Sequence, residues 1–531
     1  MSKLRVLITG HLHESAIEGF KNNSRYEVVY APDCSREELM RLVPSSQVLV
    51  TRSETDVDRA VIDAAPSLKL IARAAVGVGN IDISHATQKG ILVINCPGQN
   101  TNSAAELTMG LLLAMVRNIP QAHHTMKQGG WDRHRFSGRE VRGKRIGIVG
   151  LGNVGHRVAK FCHGFDMHVA AYDPYIANEI FERYQVKAYG SLQKMLPEID
   201  ILTVHVPLNQ ETKNMIDGSL LSLMPRGSFV INAARGGIIH EGDLVTHLQS
   251  GHLAGAAIDT WEKEPKPIAQ LLNHPQVWCS PHIGASTLEA QIAIGQTVLT
   301  QVEKAMSGGV VDYPVNLPEV TVIESPMLKA YTVLAEKLGS IAGNILTFNP
   351  NRFEIMYRGD LANLNHSIIK LAFTKGYLSQ VLDDYVSFVN VSSQMERSGI
   401  KVTETKDPDF ESYKSALKVK ILGTGGKELT IGGVVFDDKY LRLTLINDFY
   451  FEVEPSGELV VIENHDRPGV IGDVGHFMAS RGVNIDSFTL SRNRLGGRAM
   501  ALLKTDSALT AEAVGELEKL ANIIAVHKVR L

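Results

Sequence analysis

The chain is poor in aromatic residues, and neither sign of charge is in clear excess. Aromatic residues make up 6% of the 531 positions, and 54 basic residues stand against 57 acidic ones, a formal net charge of −3. This balance excludes an overall basic surface of the kind that binds nucleic acids or anionic membranes, and we expect neither as a partner. The sequence also lacks a run of about 20 apolar residues, the length that a membrane-spanning helix needs.

Cysteine is scarce as well, and its positions form no pattern. The absence of a CxxC pair or a regular spacing argues against a disulfide framework and against a structural zinc site. The 4 cysteines are Cys34, Cys96, Cys162 and Cys279. A predicted strand follows the N-terminal residues directly, without the layout of a signal peptide. We therefore expect a soluble, cytoplasmic protein with reduced thiols and no metal site.

Two series of short apolar segments, separated by helical patterns, occupy the first part of the chain. The strands predicted for the first series are 5–9, 27–30, 48–51, 70–73 and 92–95. A long helix is predicted next, at 103–128. The strands of the second series, as many as a full dinucleotide-binding fold has, are 145–149, 168–172, 201–205, 229–232, 256–259 and 277–279. This alternation predicts an α/β protein with two doubly wound parallel sheets.

The second series is inserted into the first unit. Because a helical pattern returns after it, we expect residues 1–97 to form a substrate-binding domain that is completed by about 287–318. The dinucleotide-binding domain then covers 98–286. The crevice between the two units is the expected ligand site, with hinges near 97–101 and 283–287.

Two smaller units follow. Residues 319–455 are predicted to form an α+β intervening domain, and residues 456–531 a small ferredoxin-like α/β module. Glycines at 425 and 426 predict a hairpin turn at 424–427. The helices and the strand-rich region predicted for the intervening domain are 327–344, 366–385 and 418–453.

A glycine loop at the start of the second series carries the first functional signal. Gly150, Gly152 and Gly155 form a GxGxxG match that follows a predicted strand and opens a helix. The glycines permit a tight turn, a close approach to a pyrophosphate and close helix–strand packing, and the helix N-terminus offers free N–H groups. Asp173 ends the next predicted strand. A carboxylate at this position accepts hydrogen bonds from both ribose hydroxyls of the cofactor and repels a 2′-phosphate. The pattern predicts NAD rather than NADP.

Three further residues supply what hydride transfer from a hydroxy acid requires. Arg235 follows a predicted strand and can hold a carboxylate and polarise a carbonyl oxygen. His282 lies just past another strand end and can take the hydroxyl proton, while Glu264 can orient the imidazole and stabilise its charged form. Open α/β sheets place their ligands at the carboxyl ends of their strands. The three residues together predict a dehydrogenase.

The glycine loop, Asp173 and the three catalytic candidates resemble the signatures of the D-isomer-specific 2-hydroxyacid dehydrogenases over about residues 1–318. The resemblance implies that Arg235 binds the substrate carboxylate and carbonyl, that His282 is the acid/base and that Glu264 tunes it. It also implies that Asp259 lies near the nicotinamide. The other cofactor contacts implied by the resemblance are Asn153, Val154, Val206, Pro207, Ala233 and Gly284.

The C-terminal residues narrow the range of expected substrates. Residues 456–531 resemble an ACT domain, and the whole layout resembles the long form of the D-3-phosphoglycerate dehydrogenase family. That resemblance implies oxidation of 3-phosphoglycerate as the first step of L-serine biosynthesis, in a homodimer or homotetramer with serine as feedback inhibitor. In the family, serine is held between paired ACT domains, and the matching positions here are Asn464, Asp466 and Asn484. As an alternative, these residues only shape loops, as Asp and Asn commonly do.

A phosphorylated substrate needs cations. Arg52 and Arg73 end adjacent predicted strands and match the phosphate-binding arginines of the family, and Arg133 matches an arginine that the second subunit of a dimer contributes. As an alternative, each is a solvated surface charge. The remaining substrate contacts implied by the resemblance are Val76, Gly77 and Asn100.

The segment around Gly77 departs from the family pattern. Ala75 and Gly79 replace an expected glycine and aspartate, and Val76 stands where some members have a hydroxyl residue. Substrate preference is therefore less sharply predicted than catalysis. Two alternatives stay open: a reductase of glyoxylate, hydroxypyruvate or another unphosphorylated 2-keto acid, and an NADH-sensing scaffold that has kept only the fold.

Overall fold

The computed structural model describes residues 3–307, 311–317, 325–364, 366–410 and 413–531. Its first sheet has five parallel strands in the order β2-β1-β3-β4-β5, a doubly wound arrangement. The strands are β1 (Leu4–Ile8), β2 (Tyr26–Tyr30), β3 (Val48–Thr51), β4 (Leu70–Arg73) and β5 (Leu92–Ile94). The helices between them are α1 (Glu14–Asn22), α2 (Arg36–Leu42), α3 (Arg59–Asp63) and α4 (Ile83–Gln88). All five predicted strands are confirmed.

The single helix predicted at 103–128 is two helices, α5 (Thr101–Val116) and α6 (Ile119–Lys127). Asn118 between them is in the left-handed region, with φ of 52°. A right-handed helix cannot continue through that conformation, so α5 ends before it. Pro120 then occupies the start of α6, a position where its missing N–H costs nothing. The apolar spacing alone does not reveal this break.

The second sheet has seven parallel strands in the order β12-β11-β10-β9-β6-β7-β8, one more than predicted. The missed strand, β8 (Lys187–Ala188), is too short to show an apolar pattern. The others are β6 (Arg145–Val149), β7 (His168–Tyr172), β9 (Ile201–Val204), β10 (Ser228–Asn232), β11 (Leu253–Ile258) and β12 (Val277–Cys279). The helices are α7 (Asn153–Gly164), α8 (Asn178–Arg183), α9 (Leu192–Met195), α10 (Gly218–Leu221), α11 (Glu241–Gln249) and α12 (Ala269–Leu272).

After the second sheet the chain returns to the first one through α13 (Leu288–Met306). Ile294, Val298 and Val302 on this helix share a core with Val6 and Ile8 of β1. Burial of apolar surface therefore holds the helix on the first sheet. Of the boundary predicted near 308–318, positions 308–310 and 318 lie outside the described residues.

The third sheet is mixed and has six strands, in the order β14-β13-β15-β16-β17-β18. The elements of this part are α14 (Pro326–Ile345), β13 (Pro350–Gly359), α15 (Ser367–Val381), α16 (Val391–Arg397), β14 (Lys401–Asp407), β15 (Ser415–Gly423), β16 (Glu428–Phe436), β17 (Tyr440–Ile446) and β18 (Phe449–Val453). The predicted hairpin turn is confirmed between β15 and β16. Strands β13 and β14 were not predicted, although β13 buries alternate residues.

The last sheet is antiparallel, in the order β20-β21-β19-β22. Its elements are β19 (Glu458–His465), α17 (Val470–Ser480), β20 (Ile485–Arg492), β21 (Arg498–Thr505), α18 (Ala511–Leu517) and β22 (Ile523–Arg530). One face packs beneath α17 and α18. The other shares a continuous core with α14, in which Leu459 and Leu502 accompany Tyr331 and Leu334. Among the described helices, none is long and apolar enough to cross a membrane.

Candidate active site

The structure brings His282 and Glu264 into contact. Nδ1 of His282 lies 2.8 Å from Oε2 of Glu264, and Oε1 of Glu264 accepts a hydrogen bond from the Trp261 N–H at 2.9 Å. Because an ionised carboxylate only accepts, the imidazole donates from Nδ1 and leaves Nε2 for a substrate. The backbone of His282 is left-handed, with φ of 56°. This conformation is uncommon for a residue other than glycine.

Glu264 is held in its ionised form. Partial burial opposes ionisation, but the hydrogen bonds from His282 and the Trp261 N–H and the charges of His282 and Arg235 outweigh it and keep the pKa of Glu264 below its ordinary value. The carboxylate can therefore stabilise an imidazolium next to it. This is the arrangement that an acid/base histidine needs.

Arg235 lies in the turn after β10. Asn232 fixes this turn, since its Nδ2 donates to the Arg235 carbonyl at 2.9 Å and its Oδ1 accepts from the Ala234 N–H at 3.2 Å. Burial lowers the pKa of Arg235, against the opposing charge of Glu264. A Cβ on Gly77 would come 3.1 Å from Nη2 of Arg235. The glycine therefore lets the first domain approach the guanidinium closely.

Asp259 fixes the loop that carries His282. Its carboxylate is fully buried and accepts hydrogen bonds from Ser280 Oγ at 2.6 Å, Ile283 N–H at 2.9 Å and Gly284 N–H at 3.1 Å. Buried carboxylates bonded to backbone N–H groups rigidify such turns. The expected position of Asp259 near the nicotinamide stays a prediction.

Arg52 follows β3 and Arg73 ends the adjacent parallel strand β4, so both lie on the first-domain side of the trio. Arg73 is only 6% exposed; its Nε donates to the Gly77 carbonyl at 2.9 Å, and its buried Nη1 has no partner among the described residues. Burial lowers the pKa of Arg73 to about 10, and the charges of Arg52 and Arg235 contribute. A buried cation with a free donor is a place for an anion.

The other expected substrate contacts divide into two groups. The Val76 carbonyl is held by Asn95 Nδ2 at 2.8 Å, beside Gly77, and Asn100 begins α5 without using its side chain as a cap. Arg133 is different, because it lies exposed in the loop after α6 and no hydrogen bond or ion pair joins it to the described residues of this site.

The glycine loop fits a dinucleotide. Gly150 has a φ of 91°, and a Cβ on Gly155 would lie 2.0 Å from the Gly150 carbonyl. Both glycines are therefore needed by the loop itself. A Cβ on Gly152 would meet nothing within 4 Å. The open space at Gly152 lies at the N-terminus of α7. A pyrophosphate there can accept hydrogen bonds from the free N–H groups of the helix. These residues fit NAD.

Asp173 follows β7 at the edge of this space. Its carboxylate accepts from the Leu151 N–H at 2.9 Å and the Tyr175 N–H at 3.0 Å, so it is already oriented toward the glycine loop. Asn153 and Val154 open α7. The remaining cofactor candidates lie at carboxyl ends of neighbouring strands and are Val206, Pro207, Ala233 and Gly284.

A separate cavity lies in the C-terminal domain. It has a volume of about 420 Å³ and is lined by Asn464 and Asp466 together with two arginines not singled out from the sequence, Arg467 and Arg492. Asn464 is buried and its Oδ1 has no partner among the described residues. Asp466 accepts from the Gly496 N–H at 3.0 Å. Acidic and basic groups in one cavity suit a zwitterionic ligand.

The structure does not bring Asn484 to this cavity within one chain. Asn484 follows the C-terminus of α17, whereas Asp466 precedes its N-terminus, and the helix between them has 11 residues. At the rise of an α-helix this length is about 16 Å. The Asn484 N–H donates instead to Asp506 at 3.1 Å. Because the resemblance implies a site between paired ACT domains, Asn484 stays a predicted effector contact that a second chain would have to supply.

Sequence reasoning missed two residues that support the trio. Glu241, at the start of α11, is buried, and its Oε1 accepts from the Glu262 N–H at 2.7 Å, next to the loop of Glu264. Gln291, at the start of α13, bonds both Arg52 and the loop after His282. Neither carries a sequence signal, since both are ordinary helical residues until the loops fold against them.

Three family models match the chain in succession. Residues 109–284 match the D-isomer specific 2-hydroxyacid dehydrogenase, NAD binding domain. Residues 327–447 match the D-3-phosphoglycerate dehydrogenase intervening domain, and residues 459–522 match the ACT domain. The order agrees with the layout of sheets described above.

Curated relatives match nearly the whole chain. The D-3-phosphoglycerate dehydrogenases of Methanocaldococcus jannaschii and Archaeoglobus fulgidus are each 38% identical, over 99% of this chain and 100% of the relative. That of Bacillus subtilis is 34% identical over 99% of both chains. Similarity therefore extends through the intervening and C-terminal domains.

Solved structures match the first two domains. A glyoxylate reductase from Paecilomyes thermophila aligns with a TM-score of 0.54 and 26% identity, covering 59% of this chain and 99% of its own. An NADPH-dependent glyoxylate/hydroxypyruvate reductase from Sinorhizobium meliloti, in complex with NADP and malonate, aligns with a TM-score of 0.52 and 27% identity, covering 59% of this chain and 97% of its own.

Proposed function

The chain belongs to the D-3-phosphoglycerate dehydrogenase family, and we propose that it oxidises C2 of D-3-phosphoglycerate with NAD, giving 3-phosphohydroxypyruvate. This oxidation is the first step of L-serine biosynthesis. The observation that carries the proposal is the hydrogen bond between His282 and Glu264 beside Arg235, which faces a second group of arginines across Gly77.

The three residues have separate tasks in the reaction. Arg235 holds the carboxylate and the C2 oxygen, and its buried charge stabilises that oxygen as it becomes a carbonyl. His282 Nε2 takes the hydroxyl proton, and Glu264 stabilises the imidazolium that results. NAD, when bound at the glycine loop, accepts the hydride that leaves C2. Loop closure between the two sheets excludes water from the site.

Arg52 and Arg73 hold the substrate phosphate. The free Nη1 of Arg73 supports this role, because an anion in the crevice satisfies a donor that the described protein groups leave unpaired. Val76, Gly77 and Asn100 complete the substrate side. An unphosphorylated 2-keto acid, the substrate named for the aligned reductases, would leave that buried cation without a partner.

The protein acts as a cytoplasmic homo-oligomer. The apolar side chains of Ile119, Met126 and Trp131 are exposed on and just after α6, and Trp131 is 80% exposed. A second subunit can cover such a patch. A subunit docked there also offers Arg133 to the neighbouring crevice. Dimer and tetramer remain the two candidate states, and light scattering of the full chain distinguishes them.

L-serine is the effector of the C-terminal cavity. Asp466 suits an ammonium, Arg467 and Arg492 suit a carboxylate, and the unpartnered Oδ1 of Asn464 suits the serine hydroxyl. Asn484 acts in this site only if a second ACT domain supplies it.

The test is the initial rate of NADH oxidation with 3-phosphohydroxypyruvate, compared with glyoxylate and hydroxypyruvate and repeated across an L-serine titration. We expect the phosphorylated keto acid to be preferred and serine to suppress the rate. Preference for an unphosphorylated keto acid would contradict the substrate, and an absence of turnover with verified NADH binding would favour the scaffold. A rate indifferent to serine would contradict the effector alone.

A further inference from the structure

Gln291 joins two parts of the site that would otherwise be separate. Its Oε1 accepts a hydrogen bond from Nη1 of Arg52 at 2.6 Å, and its Nε2 donates to the carbonyl of Ala285 at 2.7 Å. The residue lies at the start of α13, where Thr287 caps the helix by accepting the Ala290 N–H. The oxygen and the nitrogen of the Gln291 amide are therefore both hydrogen-bonded, and the capped helix fixes the backbone that carries it.

Ala285 belongs to the loop that carries His282. On one side this loop is held by the Asp259 carboxylate through Ile283 and Gly284, at the end of β11 in the second sheet. On the other side it is held by Gln291, whose helix packs on the first sheet. The loop thus has one anchor in each of the two units that form the crevice.

The protein uses only part of the hydrogen-bonding capacity of the Arg52 guanidinium. Its Nη1 donates to Gln291 and to the carbonyl of His11 at 2.7 Å, and the described protein groups accept nothing from its Nε or Nη2. An anion that binds the free face of this guanidinium pulls on a group whose other side is bonded to Gln291. The displacement is passed through the amide to the Ala285 carbonyl.

We propose that Gln291 is a positioning residue that transmits phosphate binding at Arg52 to the loop of the acid/base histidine, an inference that rests on the proposed function of Arg52. Binding energy from a remote part of the substrate then improves the orientation of His282. A neutral amide suits this task, because it accepts from a guanidinium and donates to a carbonyl at once. A carboxylate at this position can do only the first.

The experiment compares two keto acids that differ by the phosphate. In Gln291→Met, which keeps the size of the side chain and loses both hydrogen bonds, we expect kcat/KM for 3-phosphohydroxypyruvate to fall about tenfold, the effect of one hydrogen bond to a charged group. For hydroxypyruvate we expect a clearly smaller loss, of about threefold or less, because the loop loses an anchor but no phosphate signal is involved. In Gln291→Glu, which keeps an acceptor for Arg52 but loses the donor to Ala285 and adds a negative charge near the phosphate, we expect kcat to fall and KM for the phosphorylated substrate to rise.

Gln301 provides the matched control. It lies on the same helix, about 15 Å further along the axis. It bridges Asp312 through Nε2 at 2.6 Å and Oε1 at 2.7 Å. Gln301→Met should lower the melting temperature and leave the ratio of kcat/KM for the two keto acids unchanged.

Two results overturn the inference. An equal loss on both keto acids in Gln291→Met would make the residue structural, and no loss on either would make it irrelevant. A wild-type enzyme that does not prefer the phosphorylated keto acid contradicts the proposed function itself, and that result appears before any variant is measured.

Discussion

At the scale of single residues, two carboxylates near the active site, Glu264 and Glu241, differ in ionisation because their surroundings differ. Glu264 and Glu241 approach the same short segment, 261–264, from two sides. His282 and Arg235 keep Glu264 ionised, whereas burial outweighs the neighbouring charge at Glu241, whose Oε2 has no described partner. The first carboxylate can support a charged histidine, and the second serves to hold the backbone that presents it.

The catalytic roles predict different losses for two substitutions. His282→Ala removes the proton acceptor, so we expect kcat to fall roughly a hundred- to ten-thousandfold, with NADH affinity unchanged. Glu264→Gln keeps a hydrogen-bonding group and loses the charge that stabilises the imidazolium, so we expect a smaller loss, about ten- to a hundredfold. Steady-state rates and NADH fluorescence titration measure both. A His282→Ala enzyme with more than about a tenth of the wild-type rate would exclude the assigned role.

Glu241 predicts a dependence of stability on pH. Burial, together with the charges of Glu262 and Glu264, raises the pKa of Glu241 above its ordinary value of 4.5, against the hydrogen bond from the Glu262 N–H. The native state then binds the proton more tightly than the unfolded state, so this contribution to stability is present below pH 4.5 and is lost as the pH rises through the raised pKa.

Glu241→Gln stays neutral at every pH and keeps an acceptor for the Glu262 N–H. We therefore expect this variant to melt at a higher temperature than wild type at neutral pH, and the difference to shrink toward zero near pH 4.5. Calorimetry of both proteins across this range is the measurement. A difference that does not change with pH would show that ionisation of Glu241 plays no part.

At the scale of elements, the strand–loop–helix unit at β6 and α7 separates the needs of the fold from those of the cofactor. A Cβ at Gly155 would lie 2.0 Å from the Gly150 carbonyl, and Gly150 itself has a φ of 91°. Gly152 has an ordinary φ of −70° and open space around it. Two glycines of one motif are thus required for packing, and one for the ligand.

This difference predicts opposite behaviour for two alanine variants. Gly155→Ala should destabilise the protein by about 1–3 kcal/mol, since the added methyl group forces helix and loop apart. Gly152→Ala should melt like wild type and weaken NADH binding about tenfold or more, since the methyl group occupies the space of the pyrophosphate. Thermal melts and NADH titrations of both variants test this. Normal NADH affinity in Gly152→Ala would place the dinucleotide elsewhere.

At the scale of the whole molecule, the C-terminal and intervening domains share one core, whereas polar contacts join the intervening domain to the first sheet. The shared core contains Leu459 and Tyr331. The polar junction includes Ser387, whose Oγ donates to the Gly90 carbonyl at 2.7 Å, and Asn390, which lies against the same glycine. We therefore predict that a change in the C-terminal domain reaches the substrate side through this junction.

Gly90→Ala is expected to uncouple the C-terminal domain from the substrate side. Gly90 has a φ of 73°, and a Cβ there would lie 2.7 Å from Nδ2 of Asn390. Alanine therefore strains the turn and pushes the junction apart. We expect kcat without effector to stay within about twofold of wild type, and inhibition by L-serine to be weakened at least about tenfold. Rates across a serine titration measure both quantities.

Gly399 supplies the control for backbone strain alone. Its φ is 70°, and a Cβ there would meet nothing within 4 Å. Gly399→Ala should therefore lose stability and keep the wild-type response to serine. If Gly90→Ala is inhibited as strongly as wild type, the junction does not transmit the effector signal.

Much of the fold follows from local patterns. The five strands of the first sheet and the glycine loop are visible because parallel strands are short apolar runs and the loop needs glycine at fixed positions. The edge strands β8 and β14 were missed, because the first has two residues and the second is mostly polar and exposed. The break at Asn118 was missed because an apolar stripe does not report a backbone angle.

The sequence by itself determined the two doubly wound sheets, the choice of NAD and the identity of the three catalytic candidates, since residue type and position after a strand suffice for these. Only the tertiary structure decided that Asp259 bonds the loop of His282, that Asn484 and Asp466 flank opposite ends of α17 and that Gln291 bridges Arg52 to Ala285. Such contacts join residues distant in the chain. Their geometry depends on how loops pack after the elements have formed, and no local pattern encodes it.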